Sequence, residues 1–338
     1  MASQAADARA HAGWLGGIGA VREESWTAPD VRRRLQLVLA GIWLLDGVLQ
    51  FQAFMFSKGF SQMLGATAAG NPAVVADPIS WSAKIIADHP TATDAIFALI
   101  QVAIGLGIAW RPARKLALGA SVVWALAVWW LGEGLGGVLN GAASPVNGAP
   151  GAVIIYALLA VLLWPGRQDR AAPFAAGRFT GATVARLLWL VLWGSLAYLA
   201  LLPATRAPKA LGALVAGMAS GQPGWLAGLD DHLGAFLTGN GPAMAVVLAI
   251  VLAVVAVSAF LPRPGARAGV MLALATAAFL WLAEGLGGML AGGGTDPNSG
   301  PLLALLALAF WPLASAALPA TGQQKPATAT QPASPEGT

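Results

Sequence analysis

Cysteine is absent from the 338-residue chain, which excludes disulfides, thiolate metal sites and thiol chemistry. Charge is scarce: Asp, Glu, Lys and Arg make up 10% of the residues, against about a quarter in a soluble globular chain. Histidine occurs only at His11, His89 and His232, none in the middle of an apolar run, which removes bis-histidine haem across a bilayer. There is no phosphate-cradling glycine loop, nucleophile elbow, metalloprotease helix or dinucleotide fingerprint, so no catalytic set is recognisable. The residues ahead of the first apolar run include Arg9, Arg22, Glu23, Glu24 and Asp30 and hold no apolar stretch of signal-peptide length, so no cleaved leader is expected.

What the chain has is apolarity. Hydrophobic residues make up 57% of it, and long runs recur. The pattern predicts an all-α polytopic membrane protein with eight spans, at 34–56, 92–110, 116–138, 150–164, 184–203, 243–262, 268–290 and 301–318. With both termini placed in the cytoplasm, 15 of the 19 basic residues fall on the cytoplasmic side; Lys58, Lys84, Arg206 and Lys209 fall outside. The surplus of basic residues therefore orients helices in the plasma (inner) membrane, and nucleic acid is not expected as a partner.

The segment WLGEGLGG at 130–137 returns as WLAEGLGG at 281–288, an offset of 151 positions. The same offset pairs Pro72 with Pro223, Asn147 with Asn298 and Pro150 with Pro301. The chain therefore reads as two tandem four-helix units, 34–164 and 183–318, joined by a cytoplasmic linker at 165–182. A cytoplasmic segment, 1–33, precedes them and a low-complexity, disordered cytoplasmic tail, 319–338, follows. Two units of four spans each insert in one orientation, which predicts a pseudo-twofold axis along the membrane normal. Each unit has a long outer loop after its first span. In the second, Trp225, Leu229, Leu233, Phe236 and Leu237 predict an amphipathic helix on the outer interface, and ISWSAKIIAD is a weaker version in the first. Pro150 and Pro301 suit the first turn of each unit's fourth span.

The unit resembles the DoxX/DoxD-like membrane proteins in its long first outer loop and short basic second loop. The stretches that carry the likeness are GIWLLDGVLQFQAFMFSKGF at 41–60 and IGLGIAWRPARKLALGAS at 104–121. Some members of that family are described as membrane subunits of sulfur-compound:quinone oxidoreductases, so the resemblance implies a quinone-linked redox role with a membrane or periplasmic partner. It carries no catalytic residues over.

The polar residues at membrane depth are Asp46, Glu133 and Glu284, with Asp94 at the rim. A charge at mid-bilayer costs about 2.5–3.5 kcal/mol on insertion scales, so such groups face a cavity or a partner. Glu133 lies about 9 Å outward from the middle of its span, Glu284 matches it by the repeat, and Asp46 also lies in the outer half. Two outcomes are open for the Glu pair. The carboxylates can meet across the axis and share a proton or a cation, or each can cap the backbone of its neighbouring Gly/Asn-rich loop. The glycines around them read as close helix packing, and Trp130 and Trp281 as interfacial anchors.

Asp46, Gln50, Gln52, Asp94 and Gln101 are polar in the first unit where the second is mostly apolar, which predicts one pocket, in the first unit. The expectation is an outer-leaflet acidic cavity that binds or passes a small solute, proton or cation. The alternatives are a quinone-linked redox subunit and a structural or assembly protein. No cofactor is predicted from the residues, although quinone and a metal ion stay open; for metal, the outer His89 and His232 with Asp88, Asp230 and Asp231 are the available ligands.

Overall fold

The computed structural model describes residues 30–166 and 172–313; most of the N-terminal segment, the middle of the linker and the tail lie outside the described residues. Regular structure among the described residues is entirely helical. The first half contains α1 (Val31–Leu49), α2 (Lys58–Ala66), α3 (Ala73–Asp88), α4 (Pro90–Ala109), α5 (Arg114–Leu131) and α6 (Ala152–Leu162). The second half contains α7 (Ala182–Ala200), α8 (Ala210–Met218), α9 (Gly224–Ser258), α10 (Arg263–Ala283) and α11 (Ser299–Ala309). Five of these helices, α4, α5, α7, α9 and α10, are long and apolar enough to cross a bilayer. α1 carries Arg32, Arg33, Arg34 and Asp46. α6 and α11 have 11 residues each, about 16 Å at 1.5 Å per residue, against a hydrocarbon core of about 30 Å.

Packing runs in the same sequence in both halves: α1 on α4, α4 on α5 and α5 on α6, then α7 on α9, α9 on α10 and α10 on α11. Small residues permit the closest crossing. A Cβ on Gly105 would stand 2.9 Å from the Ala40 carbonyl, and one on Gly47 would stand 2.6 Å from Val102 Cγ2. α6 and α11 meet at the centre, α11 also touches α1, and one apolar core containing Trp43, Tyr156, Trp189 and Trp193 runs through both halves.

The basic ends of α1 and α7 close the ends of neighbouring helices. The last carbonyls of a helix lack helical partners and carry partial negative charge. Arg33 donates to the Ile108 carbonyl at 2.8 Å and to that of Ala109, and Gln36 donates to Leu163 at 2.7 Å. Arg186 does the same for Ala259 at 2.9 Å.

Three expectations about the elements change. The third and seventh spans, read as reaching 138 and 290, end as α-helix at Leu131 and Ala283. Beyond them, residues 134–137 have φ of 57, 56, 65 and 70°, and 285–288 have 59, 53, 69 and 67°. GLGG is thus a run of left-handed backbone that turns the chain toward α6 in the first half and α11 in the second, and its glycines serve that turn rather than a helix–helix seam. Glycine is needed twice over at Gly136, where a Cβ would stand 2.0 Å from the Pro150 carbonyl oxygen.

The second change is at Pro150, which precedes α6 instead of sitting in its first turn, whereas Pro301 is the third residue of α11. The third concerns the separate interfacial helix expected around Trp225–Leu237. It is the first part of the 35-residue α9, which continues through Pro242. At about 52 Å, α9 extends some 20 Å beyond what a bilayer core requires. The first half breaks at the corresponding place: Pro90 cannot continue a helix through its missing N–H, and the chain bends at His89 between α3 and α4. That bend lets α3 lie over the bundle with Val75, Ile79, Ala83 and Ile86 buried and Trp81 exposed.

Candidate binding cavity in the first half

The helices of the first half leave an internal cavity of about 360 Å³. Trp43, Phe60, Phe97, Trp124, Leu131 and Val153 form much of its apolar wall, and Asp46, Gln50, Gln101, Glu133, Tyr156 and Asp296 form its polar end. Asp46 projects from α1 and is 2% exposed. Its Oδ2 accepts from the Tyr156 hydroxyl at 2.5 Å, and its Oδ1 has no partner among the described residues. Tyr156 is held in turn against Trp43, ring centroids 4.3 Å apart, and Trp43 Nε1 donates to Ser121 Oγ at 3.1 Å. Gln50 and Gln101 are buried, and each presents an unpartnered Oε1.

Glu133 enters from just beyond α5. Its Oε1 accepts the Val153 N–H at 3.4 Å, near the start of α6, where a carboxylate is favoured by the helix dipole. Its Oε2 is buried with no hydrogen-bond partner among the described residues, as is Oε2 of Glu284, and the Ala152 N–H also faces the Glu133 carboxylate. Trp129 Nε1 reinforces the same junction by donating to the Pro150 carbonyl at 2.7 Å. Glu284 plays the matching part in the second half. It is 2% exposed, its Oε1 accepts from Ser299 Oγ at 2.6 Å, and the Ser299 and Gly300 N–H groups face it.

The two glutamates therefore bond within their own halves, each to its own fourth helix, and no hydrogen bond among the described residues joins them. Glu284 and Asp94 do not line the cavity. Asp94 is buried on α4 with both oxygens unpartnered among the described residues. Trp130 is exposed and donates to the Val74 carbonyl at 3.2 Å, while Trp281 is part-buried with its indole nitrogen unpartnered among the described residues.

The roof comes from the other half. In the loop after α10, Thr295 and Gly294 accept from Gln50 Nε2 at 3.5 Å and Gln52 Nε2 at 3.2 Å. That loop brings Asp296 over the cavity, its oxygens held by the Asn298 N–H at 2.6 Å and Thr295 Oγ1 at 2.9 Å. Burial pushes the Asp296 carboxyl above the ordinary carboxylate range, with the Thr295 and Asn298 bonds pulling it partway back. An adjoining vestibule of about 570 Å³, walled by Asn140, Asn147 and Asn298, shares Met63, Thr67, Glu133, Thr295 and Asp296 with the cavity. Glu133 and Asp296 thus stand at its threshold.

No protein-family model, curated protein or solved structure matches this chain.

Sequence reasoning missed Tyr156 and Asp296. Asp296 stands where the 151-position offset puts Pro145, so an acid replacing a proline in one copy of a loop was the available signal. Among the described residues no group of three His, Asp or Glu side chains is arranged to hold a metal ion. His89 and His232 are exposed.

Proposed function

We propose that the chain is a plasma-membrane protein of eight crossings, two tandem units of DoxX-like plan with both termini cytoplasmic, that binds a small solute in the acidic cavity of its first unit from the outer side. The carrying observation is a cavity ringed by four buried acceptors without partners: Asp46 Oδ1, Gln50 Oε1, Gln101 Oε1 and Glu133 Oε2. An unpaired buried polar atom costs about 1–3 kcal/mol. Four around one cavity are better explained by an occupant than by the packing of the helices. The volume falls at the small end of ligand pockets, about 300–1,000 Å³. Five apolar helices and the inward placement of the basic residues support the bilayer setting.

Binding is favoured over passage by what lies beneath. Leu39, Leu118, Leu159 and Leu162 are fully buried and fill the bundle on the cytoplasmic side of Tyr156. The quinone reading fits the site poorly. Quinone carbonyls accept hydrogen bonds, and the unsatisfied atoms here are acceptors too. A purely structural role accounts for the two glutamate caps but leaves Asp46, Gln50 and Gln101 unexplained.

The test is native mass spectrometry of protein purified gently in nanodiscs. The wild type should retain a small molecule that Ala127→Trp, which fills the cavity, excludes. An empty wild type whose thermal stability is unchanged or raised by Ala127→Trp would overturn the reading.

A further inference from the structure

The polar end of the cavity offers acceptors, and its lining contains no Lys, Arg or His. Of the donors around it, Tyr156 is engaged on Asp46, Trp43 on Ser121, Ser82 on Leu131 at 2.9 Å and Thr67 on Gly132 at 3.0 Å. Asp46, 2% exposed, and Gln50, 3% exposed, each keep an acceptor with no donor bonded to it among the described residues. Three carboxyl groups and no cationic side chain line the space, so an anion finds no counter-charge there. A neutral alcohol brings one O–H to four open acceptors. A bare metal ion finds no suitable group of ligands among the described residues and leaves the apolar wall unfilled.

An ammonium group brings up to three N–H donors and a positive charge. The wall would suit what it is attached to: Phe97 and Trp124 pack 5.5 Å apart, and Trp43 lies at the Asp46 end of the lining. Aromatic faces attract cations, the more so when desolvated. Resting on the cavity-binding reading above, we infer that the occupant is an organic ammonium ion with a compact apolar body, its charged head among Asp46, Gln50, Gln101 and Glu133. The same chemistry is carried by a free amine entering through the vestibule and by the amino headgroup of an outer-leaflet lipid.

Calorimetric titration of wild-type protein in nanodiscs of phosphatidylcholine alone, with empty nanodiscs as the blank, tests this with three probes of similar size. Phenethylammonium should bind at least about tenfold more tightly than 2-phenylethanol, and phenylacetate should not bind. Asp46→Asn should remove that preference, and Gln101→Leu should lower phenethylammonium affinity by a smaller factor. The ranking on the wild type needs no variant to fold. Equal binding of amine and alcohol, or binding of phenylacetate, overturns the ammonium assignment while the cavity reading stands. Binding of none of the probes, together with an empty cavity in mass spectrometry, overturns both. If phosphatidylethanolamine in the nanodisc competes with phenethylammonium, the source is lipid; if it does not, the source is a free amine.

Discussion

Glu133 and Glu284 stand at matching places in the two halves, after the third long helix of each, and both reach the start of the helix that follows. What surrounds them differs. In the first half the carboxylate opens onto a cavity; in the second it is packed against Ser299. At the 151-position offset, Asp46 becomes Ala197, Trp43 becomes Gly194, Gln101 becomes Leu252, Trp124 becomes Ala275 and Tyr156 becomes Ala307. The feature the halves share is thus a capping device that joins helix to helix. The polar and aromatic lining of the cavity resides in residues they do not share. An acid repeated in two apolar segments points first to architecture, and an acid present in only one of them is the better marker of a site.

Breaking the shared turn should have the largest effect. Gly136→Ala places a Cβ against the Pro150 carbonyl at a left-handed φ and should destabilise by about 3 kcal/mol or more. Gly287→Ala, whose nearest neighbour is 2.8 Å away, should lose less. Thermal unfolding in nanodiscs reads the order of the two, and equal losses would contradict the tighter closure of the first half.

The second contrast separates cap from site. Glu284→Ala removes the partner of Ser299 and should lower stability by about 2 kcal/mol without touching ligand retention. Glu133→Ala should lower stability by a similar or smaller amount and also release the ligand. If Glu284→Ala released it as well, the division of labour between the halves would be wrong.

The smallest effect concerns Asp296, which has proline at its counterpart. A carboxyl whose pKa is raised on folding contributes stability that is complete below its unfolded value, about pH 4, and is lost as pH rises through the folded value. The melting temperature should therefore fall as pH climbs just above 4. Asp296→Asn should flatten that part of the curve, and an unchanged slope would assign it to other groups.

The helical class, the apolar runs behind the five long helices, and the concentration of polar residues in the first half were all legible in the sequence, because periodicity and composition are local properties. Asp46, Gln50 and Gln101 could be picked out as polar atoms at bilayer depth with apolar counterparts. The left-handed turns were not legible, because glycines spaced for close packing and glycines needed for positive φ look alike in a string of letters. Nor was the role of Asp296. It lies 250 positions from Asp46, and nothing in the spacing of either says that a loop of one half lies over the other. The unbroken α9 was missed because its amphipathic start and its apolar remainder differ in pattern and read as an interfacial helix and a separate span at 243–262.

The roof over the cavity also has a history in time. Membrane chains are made from the N-terminus at about 5–20 residues per second, so some 10–50 s separate the synthesis of Asp46 from that of Thr295 and Asp296. During that interval the floor and walls of the site can assemble with nothing above them. On the binding reading proposed above, a ligand present then can enter an open cup before the last loops of the nascent chain close over it.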